Sequence, residues 1–318
     1  MKKVLRYASQ TSILGISLAV GLIGNANALT LKPTNSGTEL ANMIVGEGIM
    51  VAPGSINYTG ANGAAGFFDD GMSSGIGIES GIILTTGQAS DAVGPNMSDS
   101  TGSNNSGGGD EDLASLVPDF DINDASVLEF DFESEGGDLF FDFVFASEEY
   151  NEFVNSSYND AFGFFLDGEN IALIPGKNKP LTIDNVNLDE NSQFYNNNEN
   201  GSFDLEYDGF TDVLTAQSLD LSPGTHTIKL AVGDAGDSAY DSAVFIGANT
   251  FADVENPVIE PVEPPVEPVE PPVEPVEPPV TPTPDTATTP EPGSILSLLT
   301  VGLVASGSLM KRKSSSQN

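Results

Sequence analysis

The sequence predicts an all-β fold. We expect a jelly-roll-like antiparallel two-sheet sandwich with one short N-terminal helix, followed by a Pro-rich stalk and a C-terminal hydrophobic helix. Three observations favour this fold class: apolar and polar residues alternate in several segments, turn residues separate these segments, and no long amphipathic helix lies between them. A parallel βαβ sheet is not expected, because its crossovers need such helices.

Residues 1–28 have the pattern of a secretory signal peptide. Basic residues occupy positions 2, 3 and 6, an apolar run extends from residue 13 to residue 23, and Ala26 and Ala28 form a small-x-small cleavage site. A short buried helix is the alternative interpretation. Cleavage after Ala28 would give a mature chain that begins at Leu29 and is exported by the general secretory machinery.

The segment that starts at Thr38 predicts a short helix. Thr38 is the expected N-cap, apolar residues follow at helical spacing, and Gly46 is a stop signal. Further along, residues 96–109 are Gly, Asn and Ser rich and have almost nothing to bury, so we expect a mobile loop there.

The predicted strands lie between residues 81 and 251. The clearest pair is in the segment 139–170, which we expect to form a hairpin-like unit with a polar, acidic loop between two aromatic-rich strands. The predicted strands are Gly81–Gly87, Val127–Glu133, Leu139–Ala146, Ala161–Asp167, Ile171–Ile174, Asp212–Leu221, Thr225–Val232 and Ser242–Phe251.

The composition changes abruptly at Pro257, where VEPPVEP begins to repeat. Proline at this density blocks helix and sheet, so residues 257–289 are predicted to be an extended polyproline II spacer. At about 3.1 Å per residue, the stretch 257–284 would reach roughly 85 Å. Docking of this segment into an aromatic groove is the alternative.

The last 29 residues resemble the PEP-CTERM sorting signal of Gram-negative and cyanobacterial surface proteins. A Pro-Glu-Pro motif, an apolar run from 294 to 310 and a basic end occur in the order of that signal: Pro290, Glu291, Pro292, then Lys311, Arg312, Lys313. The resemblance implies cleavage by an exosortase and only a transient helix in the inner membrane. A permanent anchor is the alternative.

Four phrases in the body resemble the choice-of-anchor L domain. They are FVFASEEYNEFV (143–154), NDAFGFFLDG (159–168), NIALIPG (170–176) and IKLAVGDAGDSAYDSAVFIGA (228–248), and the similarity covers most of 30–252. The resemblance implies secretion and display on the surface. It implies no enzymatic activity and no particular ligand.

The charge of the chain restricts its partners. The region 29–292 has 47 acids and only 4 bases, and the whole chain has no Cys and one His. Nucleic acid and anionic lipid are therefore not expected as direct partners, since phosphate binding needs clustered Lys and Arg. Disulfides, thiolate zinc sites and Cys nucleophiles are excluded.

The acids cluster near predicted strand ends, which indicates calcium. Carboxylates packed closely together oppose folding unless a cation offsets their repulsion, and calcium prefers oxygen ligands on irregular loops. Asp110–Asp112 form one such cluster, and solvated turn residues are the alternative explanation. The predicted metal ligands are Glu148, Glu149, Asp160, Asp234, Asp237 and Asp241.

Two catalytic interpretations are weaker. Glu148 or Glu149 could serve an extracellular carbohydrate-active enzyme, or a glycan-binding module in which Tyr150, Phe153 and Tyr158 stack on a sugar. A Ser-His-Asp site would have to use His226, which by strand alternation is expected to be partly buried or at a sheet edge.

These observations predict a signal peptide (1–28), a β-sandwich domain (29–256), a spacer (257–289) and a sorting signal (290–318). The expected protein is secreted, not an enzyme, and structural or adhesive at the cell surface or in the extracellular matrix, with extracellular polysaccharide as a partner.

Overall fold

The computed structural model describes residues 28–255. The predicted spacer, the sorting signal and most of the signal peptide lie outside the described residues. Within 28–255, no helix has the length and apolar character needed to cross a bilayer. The predicted hydrophobic helix at 294–310 falls on residues that the structure does not describe.

The first sheet has eight antiparallel strands around a long central strand, β7 (Gly137–Ser147). One edge of β7 pairs with β14, and its other edge pairs with β12 along most of its length and with β11 at its C-terminal end. The strand order is β1 (Thr30–Pro33), β4 (Ala65–Asp69), β5 (Gly81–Thr85), β14 (Ser242–Gly247), β7, β11 (Gly209–Thr211) and β10 (Tyr195–Asn197), with β12 (Leu214–Leu221) beside β7.

The second sheet has six antiparallel strands and is built on the longest pairing of the described chain, between β6 and β13. Its order is β2 (Met50–Val51), β6 (Ile122–Ser134), β13 (Gly224–Ala235), β8 (Ala161–Leu166) and β9 (Glu169–Asn170), with β3 (Asn57–Thr59) also on β6. The predicted fold class, an antiparallel two-sheet sandwich, is confirmed.

The core between the sheets is rich in phenylalanine. Strand β7 contributes Leu139, Phe141, Phe143 and Phe145, all buried, which confirms the face predicted from the two-residue repeat. Rings from the two sheets meet edge to face, as Phe143 and Phe164 do at 5.1 Å between centroids. The opposite face of β7 is also buried at its C-terminal half, where Val144 and Ala146 join a second apolar cluster.

Three short helices accompany the sheets. The predicted one is α1 (Gly37–Ile44), but its N-cap is Ser36 rather than Thr38, because the Ser36 hydroxyl accepts a hydrogen bond from the Glu39 amide. The helices α2 (Gly71–Ser74) and α3 (Glu111–Leu116) were not expected from the sequence.

Three strand predictions need correction. Segment 139–170 is not a hairpin, because β7 and β8 belong to different sheets and the polar segment crosses between them. The predicted strand Ile171–Ile174 is absent as a strand, since the Asn170 side chain accepts hydrogen bonds from the amides of Phe164 and Ala172 and ends the ladder. The predicted strand Asp212–Leu221 starts later, at Leu214, and a separate strand precedes it.

Candidate functional site

One end of the sandwich collects carboxylates from both sheets, and we call it the acidic rim. It forms where β7 and β13 end and where β8, β11 and β14 begin. The acidic rim consists of Glu148, Glu149, Asp160, Asp208, Asp234 and Asp241.

Hydrogen bonds join the two predicted acidic loops at this rim. The Glu148 amide donates to the Asp241 carbonyl oxygen (3.1 Å), and the Ala235 amide donates to Asp160 Oδ1 (2.9 Å). The Ser242 hydroxyl donates to Asp160 Oδ2 (2.7 Å). The segment after β7 and the turn between β13 and β14 therefore meet through Asp160, which bonds to both ends of that turn.

All six rim side chains are at most 2% exposed. Asp237, the remaining predicted ligand, lies outside this group, half-buried, with its Oδ1 accepting from the Ala239 amide in a local turn. Burial of this many acids has a large cost in free energy unless each is neutralised or hydrogen-bonded.

The rim acids differ in how well they are satisfied. Asp160 is hydrogen-bonded through both oxygens, and Asp241 accepts from the Ser103 amide at 3.0 and 3.1 Å. By contrast, both oxygens of Glu148, Glu149 and Asp234 are buried without a hydrogen bond of normal geometry, as is Oδ2 of Asp208. Seven carboxylate oxygens at one end of the domain thus lack a partner among the described residues. The Thr101 backbone and the Thr86 side chain only partly offset the rise in the pKa values of Glu148 and Asp234.

Burial and mutual repulsion raise the pKa values of these groups. Burial raises the pKa of Glu148 to about 10, and the charges of Asp208 and Glu206 act in the same direction. Burial also raises the pKa of Asp241 to about 7 and that of Asp208 to about 6. The pKa values of Glu149 and Asp234 rise through burial and the nearby charge of Asp160.

No lysine of the described region neutralises the rim. Lys229 pairs with Asp110 and Asp112, Lys177 donates to Asn191, and Lys32 lies over the Phe67 ring. The fourth lysine, Lys179, is exposed. The ion pairs found within 28–255 leave every rim acid unpaired. A positive charge for the rim would have to come from outside the chain.

The polar segment 96–109 covers the rim through hydrogen bonds. The Asn105 amide donates to Asp124 Oδ2 (3.0 Å), and the Asn105 side chain donates to the Thr86 carbonyl oxygen (2.6 Å). The Thr101 hydroxyl donates to Glu206 (2.7 Å). As predicted, this segment is a loop with almost nothing buried, but its polar groups donate hydrogen bonds to acids of the rim and its surroundings.

The other acidic cluster predicted from the sequence has a different explanation. Asp110 caps helix α3 by accepting from the amides of Asp112 and Leu113, and it lies 3.0 Å from the Lys229 amine. Because Lys229 also contacts Asp112, both of these aspartates share a cation from within the chain.

His226 has a structural role. It is buried in β13, with Nδ1 2.6 Å from Asp167 Oδ2 and Nε2 2.8 Å from the Ser222 carbonyl oxygen. Both ring nitrogens are occupied by these contacts. The prediction of a partly buried position is confirmed, and no nitrogen is left to activate a serine.

The residues proposed for sugar hydrolysis are poorly placed for it. Glu148 and Glu149 expose no carboxylate oxygen, whereas a glycosidase needs both carboxyl groups beside the substrate. Tyr150 is fully buried against Tyr195 and cannot stack on a sugar, which corrects that expectation. Phe153 and Tyr158 are half-buried and in contact.

Sequence reasoning missed Asp208, although a signal for it was present. Asp160, Asp208 and Asp241 each stand one residue before a strand, and the three strands begin at the same end of the sandwich. Chemically, the rim offers hard oxygen ligands to a cation. Within 28–255, however, no three Asp, Glu or His side chains are grouped so that they could hold a metal ion by themselves.

Comparison with known proteins identifies the family of the chain. No curated protein and no solved structure gave a significant match. The family model of the choice-of-anchor L domain matches residues 30–252, which is more than two thirds of the chain and includes both sheets and the whole acidic rim. The family is not an enzyme family, and its domain indicates a secreted or surface-associated protein. This chain therefore belongs to the choice-of-anchor L domain family.

Proposed function

We propose that the protein is a structural or adhesive component of the cell surface or extracellular matrix, and that calcium holds together the rim of its sandwich. The observation that carries this proposal is the group of buried carboxylates without donors at Glu148, Glu149 and Asp234. Left unneutralised, their mutual repulsion and their loss of hydration would oppose folding.

Calcium suits the rim better than other ions. It takes six to eight oxygen ligands and accepts carboxylates together with backbone carbonyls, hydroxyls and water. A calcium site therefore does not need three converging acids. On the side of the rim that faces the second sheet, the carboxylate ligands would be Glu149 and Asp234, completed by neutral oxygens. Asp160, Asp241 and the outer Asp237 would add negative charge.

The route to the surface is proposed from the sequence. The signal peptide would deliver the chain to the secretory machinery, and the signal at 290–318 would hold it briefly in the inner membrane until an exosortase cleaves near Pro290–Pro292. The acidic spacer would then keep the domain away from the membrane. If the mature protein retains Lys311–Lys313 by mass spectrometry, this processing step is wrong.

Binding of an extracellular polysaccharide is the second candidate function. Phe153 packs against Tyr158 and Tyr240, with centroid distances of 5.3 and 4.8 Å, and these half-buried rings lie close to the rim. Aromatic faces of this kind suit sugar rings. A glycan panel tests this function: binding by wild type that Tyr158→Ala abolishes would support it, and absence of binding to any glycan would exclude it.

Calcium titration tests the main proposal. Adding millimolar calcium to chelator-treated protein at pH 7.5 should raise the Tm, since an ion that binds only the folded state stabilises it by about 2.7 kcal/mol at 100 times its Kd. Magnesium is the control, because it tolerates irregular sites poorly. An unchanged Tm with both ions would contradict the proposal.

A further inference from the structure

The register of the first sheet places three carboxylates in a row. Ser147 at the end of β7 pairs with Gly209 of β11 on one side and with Ser242 of β14 on the other. One step further along these antiparallel pairings, Glu148 lies opposite both Asp208 and Asp241. The hydrogen bond from the Glu148 amide to the Asp241 carbonyl oxygen agrees with this register.

This row lies on the outer face of the sheet, away from the second sheet. Ala146 pairs with both Phe210 and Ala243, each of the three is two positions from a residue of the row, and all three belong to the outer apolar cluster. Alternation therefore puts Glu148, Asp208 and Asp241 on the same side. Glu149 faces the other way, toward Asp160. The side chains of the consecutive residues Glu148 and Glu149 thus lie on opposite faces of the first sheet.

Glycine makes room for one end of the row. A Cβ at Gly87 would lie 1.4 Å from Asp241 Oδ2, so only glycine allows the carboxylate to occupy that position. Asp241 is then satisfied by the Ser103 amide. The unsatisfied part of the row is therefore the pair formed by Glu148 and Asp208.

The two carboxyl groups of this pair are buried and only partly hydrogen-bonded. Glu148 is 1% exposed and Asp208 2% exposed, and three oxygens, Glu148 Oε1, Glu148 Oε2 and Asp208 Oδ2, have no donor. Asp208 Oδ1 accepts from the Asn96 side chain (2.6 Å), and Glu206 beside them is occupied by Thr101 and by the Met97 amide. Like charges directly opposite each other on neighbouring strands are destabilising.

We infer that a second calcium ion binds between Glu148 and Asp208 on the outer face, separate from the ion at Glu149, Asp160 and Asp234. Segment 96–101, which already donates hydrogen bonds to Asp208 and Glu206, would supply the neutral oxygen ligands. The rim then holds two calcium ions, one on each face of the first sheet. This inference rests on the proposed function in that both ions neutralise rim carboxylates.

Counting bound calcium on the purified full chain in mild detergent tests the inference. Equilibrium dialysis at pH 7.5 should give two ions for wild type, one for Asp208→Asn and one for Asp234→Asn. Asp212→Asn is the matched control, since it makes the same change at an exposed position just after β11 and should keep both ions. Glu148→Gln provides a second outer-face variant if Asp208→Asn does not fold, and it should also bind one ion.

Other calcium counts would overturn the second site, the proposed function, or both. One ion in wild type that Asp234→Asn removes and Asp208→Asn leaves in place would overturn the second site and keep the proposed function. One ion that both variants remove would indicate a single shared site and also overturn the inference. No bound calcium in wild type would overturn both.

Discussion

The acidic rim and the cluster around Lys229 are both groups of neighbouring carboxylates, yet only the second contains a positive charge. Lys229 lies between Asp110 and Asp112, and one of these acids also caps a helix. At the rim, Glu148, Glu149 and Asp234 have neither a cation nor a donor. Proximity of acids in sequence therefore does not distinguish these two clusters; burial without partners does, and the calcium proposal rests on it.

The largest expected effect of this difference is on the pH dependence of stability without metal. A carboxyl group whose pKa is raised on folding destabilises the native state once the unfolded chain has released its proton. This cost is absent below about pH 4 and grows as the pH rises toward the folded pKa values, about 6 for Asp208, about 7 for Asp241 and about 10 for Glu148.

Chelator-treated protein should therefore melt at a lower temperature at pH 8 than at pH 5. We expect a difference of more than about 10 °C, because several groups contribute, each pKa unit corresponds to about 1.4 kcal/mol, and each kcal/mol to about 2–4 °C in a domain of this size. Saturating calcium should remove most of it. Calorimetry that gives equal Tm values at both pH values without calcium would refute the electrostatic description of the rim.

Neutralising one rim acid should change stability in opposite directions with and without calcium. Asp234→Asn removes a carboxyl group whose ionisation burial makes costly, and it supplies an amide donor for neighbouring oxygens. The metal-free protein at pH 8 should therefore gain about 1–3 kcal/mol in free energy of unfolding. In calcium, the same variant should be less stable than wild type. Urea denaturation under both conditions measures this, and a loss in both would show that Asp234 is already satisfied.

Replacing Lys229 should lower the free energy of unfolding both with and without calcium. Lys229→Met keeps most of the aliphatic stem but leaves Asp110 and Asp112 without their cation, so we expect a loss of about 1–2 kcal/mol. Because the cation of this cluster comes from the chain itself, the loss should be the same with calcium and with chelator. A loss that depends on calcium would mean that the two regions are not independent.

The smallest expected effect is at His226 and Asp167. Burial lowers the pKa of His226, but the hydrogen bonds to Asp167 and to the Ser222 carbonyl oxygen outweigh it, so the net shift is upward. The pair stabilises the folded state fully at pH values below the unfolded pKa of about 6.5. This stabilisation is lost as the pH rises through the folded pKa. Asp167 is half exposed, which screens the interaction.

Asp167→Asn should therefore cost less than about 1 kcal/mol at pH 5.5 and still less at pH 8.5. Asparagine keeps an acceptor for the Thr227 amide and tolerates the left-handed backbone at this position, where φ is 50°. The comparison is made in calcium, where the rim contributes little pH dependence. An equal cost at both pH values would show that the histidine is neutral throughout.

The sequence predicted the sheets better than their connections. Phe141, Phe143 and Phe145 alternate with less apolar positions, so their buried face could be read directly, and β13 was found within a few residues of its ends. Whether two successive strands share a sheet depends on contacts far apart in sequence. For that reason β7 and β8 were mistaken for a hairpin.

The site was predicted in part, for a related reason. Glu148, Glu149, Asp160, Asp234 and Asp241 all lie at the rim, since acids beside strand ends at one end of a sandwich come together. Asp208 and the covering segment 96–109 were missed because their role follows from strand register and long-range hydrogen bonds. Equally, nothing local to Asp110–Asp112 indicates that Lys229 lies beside them.

The most direct test of the rim as a calcium site is a crystal structure grown with calcium, with anomalous data collected at long wavelength. It should show one calcium peak near Asp234 and Glu149 and another between Glu148 and Asp208, with oxygen ligands at about 2.3–2.6 Å. A rim without anomalous peaks, in which these carboxyl groups instead hydrogen-bond to one another as shared-proton pairs, would contradict it.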